Sequence, residues 1–376
     1  MKDYRLLTDK YFLRSKQILK SKDINPTVKY QVFVRKDIEK LAGINEAVDF
    51  IKSKVTESKV FALEDGDNCV SGEPLIKLEG PIQELIDLET VYLGIISGRL
   101  TDYPDFYKMR VNAEKIIEVA ENKPVYYFGA RHYHWKLDKE IARICKHAGF
   151  AGCSTDVGGW NWGDKGIGTI PHALILAYAI ELEKKGVNIY GDVMGKDNPT
   201  VASALAFDEV IQKNIPRVQL IDTFNREVWD SIETATAMPN LSGVRIDTCG
   251  SNLCQGTQEL DMPYIYNNVN GNGVSIAAVW NLRTQLNQAG FEKLKMLVSS
   301  GFNAEKVQAF VDADRLYKQE YGSDLFDSIG TGSIYDKAIY ATSDIVAYKT
   351  EGVISRWKPL SKTGREEVQT DRLIER

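Results

Sequence analysis

The chain reads as an α/β protein: an irregular parallel α/β barrel with an α+β flanking domain built from the N-terminal region and the C-terminal tail. Three observations carry this. Between residues 125 and 334, short apolar strands alternate with amphipathic helices, the rhythm of βα units joined by parallel crossovers. Helix start and stop signals punctuate that stretch, among them Asp197-Asn198-Pro199 and Gly149. The regions on either side, 1–124 and 335–376, break the rhythm and are expected to form the flanking domain together.

Val125–Phe128 opens the series as a strand, and Leu137, Ile141, Ile144 and Cys145 mark one face of the next helix. Val187–Tyr190 is the following expected strand, leading into a helix that carries Leu205 and Val210. Val218–Ile221, Gly243–Ile246, Lys295–Val298 and Phe326–Ile329 are further strands, for about seven βα units in all. Val228, Trp229 and Ile232 mark the helix after Val218–Ile221; Asn303 caps one carrying Val307, Phe310 and Val311. In the flanks, Lys59–Leu63 and Pro74–Leu78 read as strands. Ile345–Lys349 and Gly352–Trp357 read as a hairpin around Thr350-Glu351-Gly352.

Composition bounds the function. The 376 residues are 43% hydrophobic and 26% charged, ordinary for a soluble globular protein. A net charge of −5 argues against a general nucleic-acid binder. Apolar runs such as Ala173–Ile180 are too short to span a bilayer, and Met1–Arg5 carries no secretory apolar region. Five scattered cysteines fit a reducing compartment, so a cytoplasmic location is expected. Cys249 and Cys254 form a lone C-x4-C, and His132 and His134 an H-x-H without a third ligand; no protein metal site is expected.

The chemistry gathers where barrels place it, at the C-terminal ends of strands. Gly168-Thr169-Ile170-Pro171-His172 stands directly before an apolar helical run. Pro171 suits the first helical position, which puts His172 in a first turn that favours anions. Arg131, Asp222-Thr223, Arg245, Asp247, Ser299-Ser300-Gly301 and Gly330-Thr331-Gly332 follow other strands. Arginines clamp carboxylates and phosphates, and the two glycine-containing turns can take a phosphate on backbone N–H groups. Aspartates can balance a cationic transition state or hold Mg²⁺ through water. The set reads as a site for an anionic, phosphorylated substrate. The glycine-rich loop Asp156–Gly168, with Trp160-Asn161-Trp162, reads as a lid or packing loop.

Taken in order, these residues resemble the nicotinate phosphoribosyltransferase family, the type II phosphoribosyltransferases. Thr8-Asp9-Lys10-Tyr11 is similar to the family's T-D-x-Y segment, and Glu89-Thr90-Val91-Tyr92-Leu93-Gly94 to its E-T-x-x-L-G helix. Phe128-Gly129-Ala130-Arg131, Gly168–Leu174, Leu220–Thr223, Val244–Thr248, Val298–Gly301 and Ile329–Gly332 follow in the family's order. The resemblance implies transfer of the phosphoribosyl group of phosphoribosyl pyrophosphate (PRPP) to the ring nitrogen of nicotinate, releasing pyrophosphate. It implies Mg²⁺ with PRPP, and ATP as a co-substrate that phosphorylates His172. By the same resemblance Asp222, Arg245 and Asp247 join His172 as catalytic residues. Phe128 and Tyr11 would sandwich the pyridine ring, with Tyr11 and Asp9 reaching in from a partner subunit of a homodimer or larger homo-oligomer. Arg131, Thr169 and Thr223 would bind substrate; Ser300, Gly301, Gly330 and Thr331 would take the 5′-phosphate.

The chain departs from the family pattern at several points, among them Cys249-Gly250-Ser251-Asn252, which lacks the arginines some members have there, and a tail without the cysteine-rich ribbon of some relatives. His132 follows Arg131 where many members have a second arginine, and Ser300 stands where a glycine is usual. These bear on acid against amide preference, so a nicotinamide-using enzyme is an alternative. A quinolinate-using one would need a second cationic clamp, and few spare cations stand at the strand ends. A phospho-ligand-binding homologue without catalysis, and a sugar-phosphate aldolase or isomerase barrel, are the rivals from other classes. The latter would need a strand-end lysine or strong carboxylate base, and no such lysine stands out.

Overall fold

A computed structural model describes residues 3–257, 271–335, 338–352 and 354–376. It contains two six-stranded sheets. One is antiparallel, in the order Trp357–Pro359, Ala341–Lys349, Thr27–Val34, Pro74–Pro81, Lys59–Ala62, Ile374–Glu375. The tail therefore completes a sheet begun by the N-terminal region: Val28 lies opposite Tyr348 on one side and Gly80 on the other. The expected hairpin forms with a longer loop, pairing Lys349 with Trp357, so its second strand begins at Trp357 rather than Gly352. Val353 of that turn lies outside the described residues.

The second sheet is parallel, in the order Gly152–Cys153, Val125–Tyr127, Ser328–Thr331, Lys295–Val298, Gly243–Ile246, Val218–Leu220. Helices separate its strands in the chain, as βα units require. It curls into a half-barrel of six strands rather than about seven units, because Val187–Tyr190 is a loop. Its carbonyls are used otherwise: Arg226 Nη1 donates to Ile189 O and Gly191 O, both at 3.1 Å. A side chain satisfies backbone that a ladder would have taken. The last strand begins two residues later than expected, at Ser328, because Asp314 Oδ1 accepts the Leu325 and Phe326 N–H groups (2.7 and 3.4 Å).

Local signals explain most helices. Asn198 caps Pro199–Val210 by accepting from Thr200 N at 2.9 Å, and Asn303 caps Ala304–Tyr321 by accepting from Lys306 N at 2.9 Å. Gly149 ends Asp138–Ala148 in the left-handed conformation. Pro171 sits one place earlier than expected, as the extended N-cap, so His172 is the first residue of His172–Lys184. That helix buries eight of its apolar residues between neighbours, as an all-round apolar helix must. Two hydrophobic clusters result. One joins the antiparallel sheet to Glu89–Leu100 and His172–Lys184; the other fills the parallel sheet and its outer helices. No helix among the described residues is long and apolar enough to cross a membrane.

Candidate active site

A cavity of about 290 Å³ opens between the two sheets. Twelve of the fourteen expected site residues line it: Asp9, Tyr11, Phe128, Arg131, Thr169, His172, Arg245, Asp247, Ser300, Gly301, Gly330 and Thr331. Asp222 and Thr223 do not line it; they stand behind His172.

His172 is held from three sides. Its Nδ1 is 2.9 Å from Thr223 Oγ1, and its Nε2 is 2.8 Å from Lys362 Nζ and 3.6 Å from Asp222 Oδ2. Lys362 also donates to Asp222 Oδ2 at 2.5 Å. Burial, then the Lys362 charge, pushes the His172 imidazolium well below its ordinary range. Burial alone would pull Lys362 down, but Asp222 and Asp247 outweigh it and raise its pKa, so it stays an ammonium. An ammonium has no lone pair, so His172 Nε2 accepts and the proton of the neutral ring sits on Nδ1, donated to Thr223. Thr223 is therefore a support for His172 rather than a substrate contact. Its carbonyl also accepts from Thr363 N at 3.0 Å, tying down the tail that carries Lys362.

Arg131 is the second centre. Its Nη1 donates to Glu89 Oε1 at 2.8 Å, and its Nε lies 3.4 Å from Asp9 Oδ2. Burial pushes the Glu89 carboxyl up to about 8, against the pull of Arg131. The guanidinium also lies 6.0 Å from the centre of the Tyr11 ring. Asp9 and Tyr11 thus line the cavity of their own chain. The N-terminal segment is pinned there: Asp9 N donates to Thr90 Oγ1 at 2.9 Å, and Lys10 Nζ to Asp156 Oδ2 at 2.7 Å. A Cβ on Gly168 would come within 2.6 Å of Tyr11 N, so the Gly168 motif and this segment pack backbone to backbone.

Phe128 packs on Gly330, where a Cβ would meet the ring at 2.3 Å. His132 also lines the cavity. Burial and Arg131 push it down to about 4, and it lies 2.5 Å from Tyr335 Oη and stacks on Tyr340. It therefore brings a neutral ring where a second arginine would bring charge.

The sugar-phosphate end is more open. Asp247 sits between Arg245 Nη1 (3.1 Å) and Ser299 Oγ, which donates to it at 2.8 Å. Ser300 and Gly301 turn with φ of 84° and 70°. Thr331 Oγ1 donates to Phe302 O at 2.6 Å and accepts from Ser333 N at 2.9 Å, so it ties the two turns together. The loop at Asp156–Gly168 packs rather than covers at its centre. Trp162 Nε1 donates to Phe150 O at 2.9 Å, while Trp160 is half exposed under Lys139.

Several residues at the site went unnoticed in the sequence. Lys362 and Arg365 come from the tail, Arg35 follows the Thr27–Val34 strand, and Asp344 lies within Ala341–Lys349. Lys362 and Arg365 belong to no motif or periodic segment of the sequence. Asp344 did leave a signal, a lone carboxylate inside an apolar strand; it pairs with Arg365 Nε at 3.2 Å. Beyond the strand-end Arg131 and Arg245, the flanking domain brings Arg35, Lys362 and Arg365 to the cavity.

The comparisons follow this geometry. The family model for the quinolinate phosphoribosyl transferase N-terminal domain matches residues 9–98. Nicotinate phosphoribosyltransferase pncB2 of Mycobacterium tuberculosis is 25% identical over 286 residues, which are 75% of this chain and 51% of that protein. The chain thus spans about half the length of the curated relatives it matches. Among solved structures, the nicotinate phosphoribosyltransferase of Porphyromonas gingivalis superposes with a TM-score of 0.62 at 14% identity, covering 96% of this chain and 94% of that one. The Vibrio cholerae enzyme gives 0.59 at 12%, covering 92% and 87%. Both establish the fold. The half-barrel and the antiparallel sheet, with the Arg-, Asp- and glycine-turn cavity between them, thus share the fold of these solved phosphoribosyltransferases. Within that fold, the chain is similar in sequence to a curated nicotinate phosphoribosyltransferase.

Proposed function

We propose that the chain transfers phosphoribose from PRPP to nicotinate, giving nicotinate mononucleotide and pyrophosphate for NAD biosynthesis or salvage. One observation carries the reading: Phe128, Tyr11 and Arg131 share a single cavity with Arg245, Asp247 and the two phosphate-type turns. The aromatic side chains suit a pyridine ring. Arg131, a cation in the cavity wall beside Tyr11, suits its carboxylate. The pyridine nitrogen is the nucleophile, so no strong general base is required. Positive charge grows on the ribose as pyrophosphate leaves, and Asp247 stands in the cavity to balance it. Arg245 and the turns take the negative ends. Quinolinate is a second reading, favoured by the matched domain and by the number of cations in the cavity.

Mg²⁺ comes with PRPP in this reading. Among the described residues no three His, Cys, Asp or Glu side chains cluster to cage an ion. The residues fit the looser arrangement of one or two carboxylates plus substrate phosphates. Asp247 would hold it, with Asp222, whose buried Oδ1 has no hydrogen-bond partner, acting through water. Bound there, the ion supplies charge neutralisation for pyrophosphate.

ATP drives the transfer through His172. The neutral ring offers its Nε2 lone pair to the γ-phosphorus, ADP leaves, and Lys362 passes from the ring to the new phosphoryl oxygens. The family resemblance implies a homodimer or larger homo-oligomer. The five free thiols, four of them buried, suit a reducing cytoplasm. The test is product formation with and without ATP, in the wild type and in His172→Ala. ATP should stimulate the wild type and form a phosphohistidine. His172→Ala should lose the stimulation while keeping measurable transfer. An unchanged ATP response in the variant contradicts the role of His172.

A further inference from the structure

Four non-glycine residues in the described chain have positive φ, and Ser300 alone of them lines the cavity. An L-residue resists that conformation unless something holds it. Lys306, in the first turn of Ala304–Tyr321, donates from Nζ to Ser300 O at 3.0 Å. Its ammonium also lies 4.4 Å from the centre of the Phe302 ring. Lys306 does not line the cavity. Among the described residues, the N–H groups of Ser300, Gly301 and Phe302 find no hydrogen-bond acceptor. Three consecutive free donors beside a helix start form an anion-binding edge, provided the turn keeps its shape.

We propose that Lys306 is a positioning residue of the phosphate pocket: by clamping the Ser300 carbonyl it holds the turn in the left-handed form that presents these N–H groups together. This rests on the phosphoribosyl-transfer reading and extends it to a residue outside the cavity. A serine at this place needs a clamp that a glycine would not. Burial holds the Lys306 ammonium down to about 8, while Asp247 and Cys254, the ionisable groups that face it, favour its charge. The clamp therefore weakens as pH rises through that value.

The test uses the full chain and two readouts, the KM for PRPP and the Kd for ribose 5-phosphate by calorimetry. Lys306→Met keeps the apolar stem and should raise both by about tenfold, with a smaller effect on kcat. Adding Ser300→Gly to Lys306→Met should bring both back to within about threefold of the wild type, since glycine holds the turn unaided. Lys306→Arg, charged at every pH, should remove the weakening above pH 8 expected of the wild type. A double variant no better than Lys306→Met, or a Lys306→Met that binds normally, overturns the proposal. Ribose 5-phosphate binding that follows this pattern without any transfer would refute the catalytic reading and keep the clamp. Transfer with a neutral Lys306→Met would do the reverse.

Discussion

Asp247→Asn lowers kcat by about 10²–10³-fold while leaving the folded state nearly as stable as the wild type. The carboxylate is about 30% exposed in the cavity wall, so its pairing with Arg245 is partly screened and adds little to stability. Asparagine still accepts from Ser299, which donates to Asp247 at 2.8 Å in the native chain. What the substitution removes is negative charge beside a ribose that becomes cationic as pyrophosphate departs. Steady-state kinetics and a thermal melt on the same preparation separate the two effects. A melt that collapses in step with turnover would assign Asp247 to the scaffold instead.

Lys362→Met acts on stability, with a cost of about 3–5 kcal/mol. Lys362 and Asp222 are 4% and 1% exposed and 2.5 Å apart, so the substitution leaves a buried carboxylate without its counter-charge. Lys362→Met combined with Asp222→Asn should recover a large part of that loss, because no unpaired charge then remains. The loss should also shrink as pH falls from 8 to 5. An unpaired Asp222 binds a proton more tightly folded than unfolded, which stabilises the variant as pH drops. His172 works in the same direction. In the wild type burial and Lys362 depress its pKa, so its stabilising contribution is full above the unfolded imidazole value and lost as pH falls below it. Without Lys362 part of that acid penalty disappears. Urea denaturation across this range measures the difference, and a loss independent of pH contradicts the assignment.

Much of the scaffold was legible from the chain. Gly243–Ile246 and Lys295–Val298 form strands over the expected residues, each a short run with apolar residues inside it. Arg245 stood out as a charge inside such a run, and it does project into the cavity wall. Val187–Tyr190 misled because its apolar residues serve a loop whose carbonyls Arg226 holds, a tertiary bond with no local trace. Asp9 and Tyr11 were found, but which chain's cavity they enter depends on how the N-terminal segment docks on Thr90 and Asp156. Lys362 could not be found by pattern at all. It lies 190 residues from His172, and only the closing of the antiparallel sheet by the tail brings the two together.

The most direct measurement is the product formed when the protein, PRPP and Mg²⁺ are given nicotinate, nicotinamide and quinolinate in turn. The account predicts nicotinate mononucleotide with an equal yield of pyrophosphate, and clearly lower kcat/KM with the other two acceptors. Preference for nicotinamide or quinolinate would contradict the part given to Arg131, and absence of mononucleotide with every acceptor would contradict the enzyme itself.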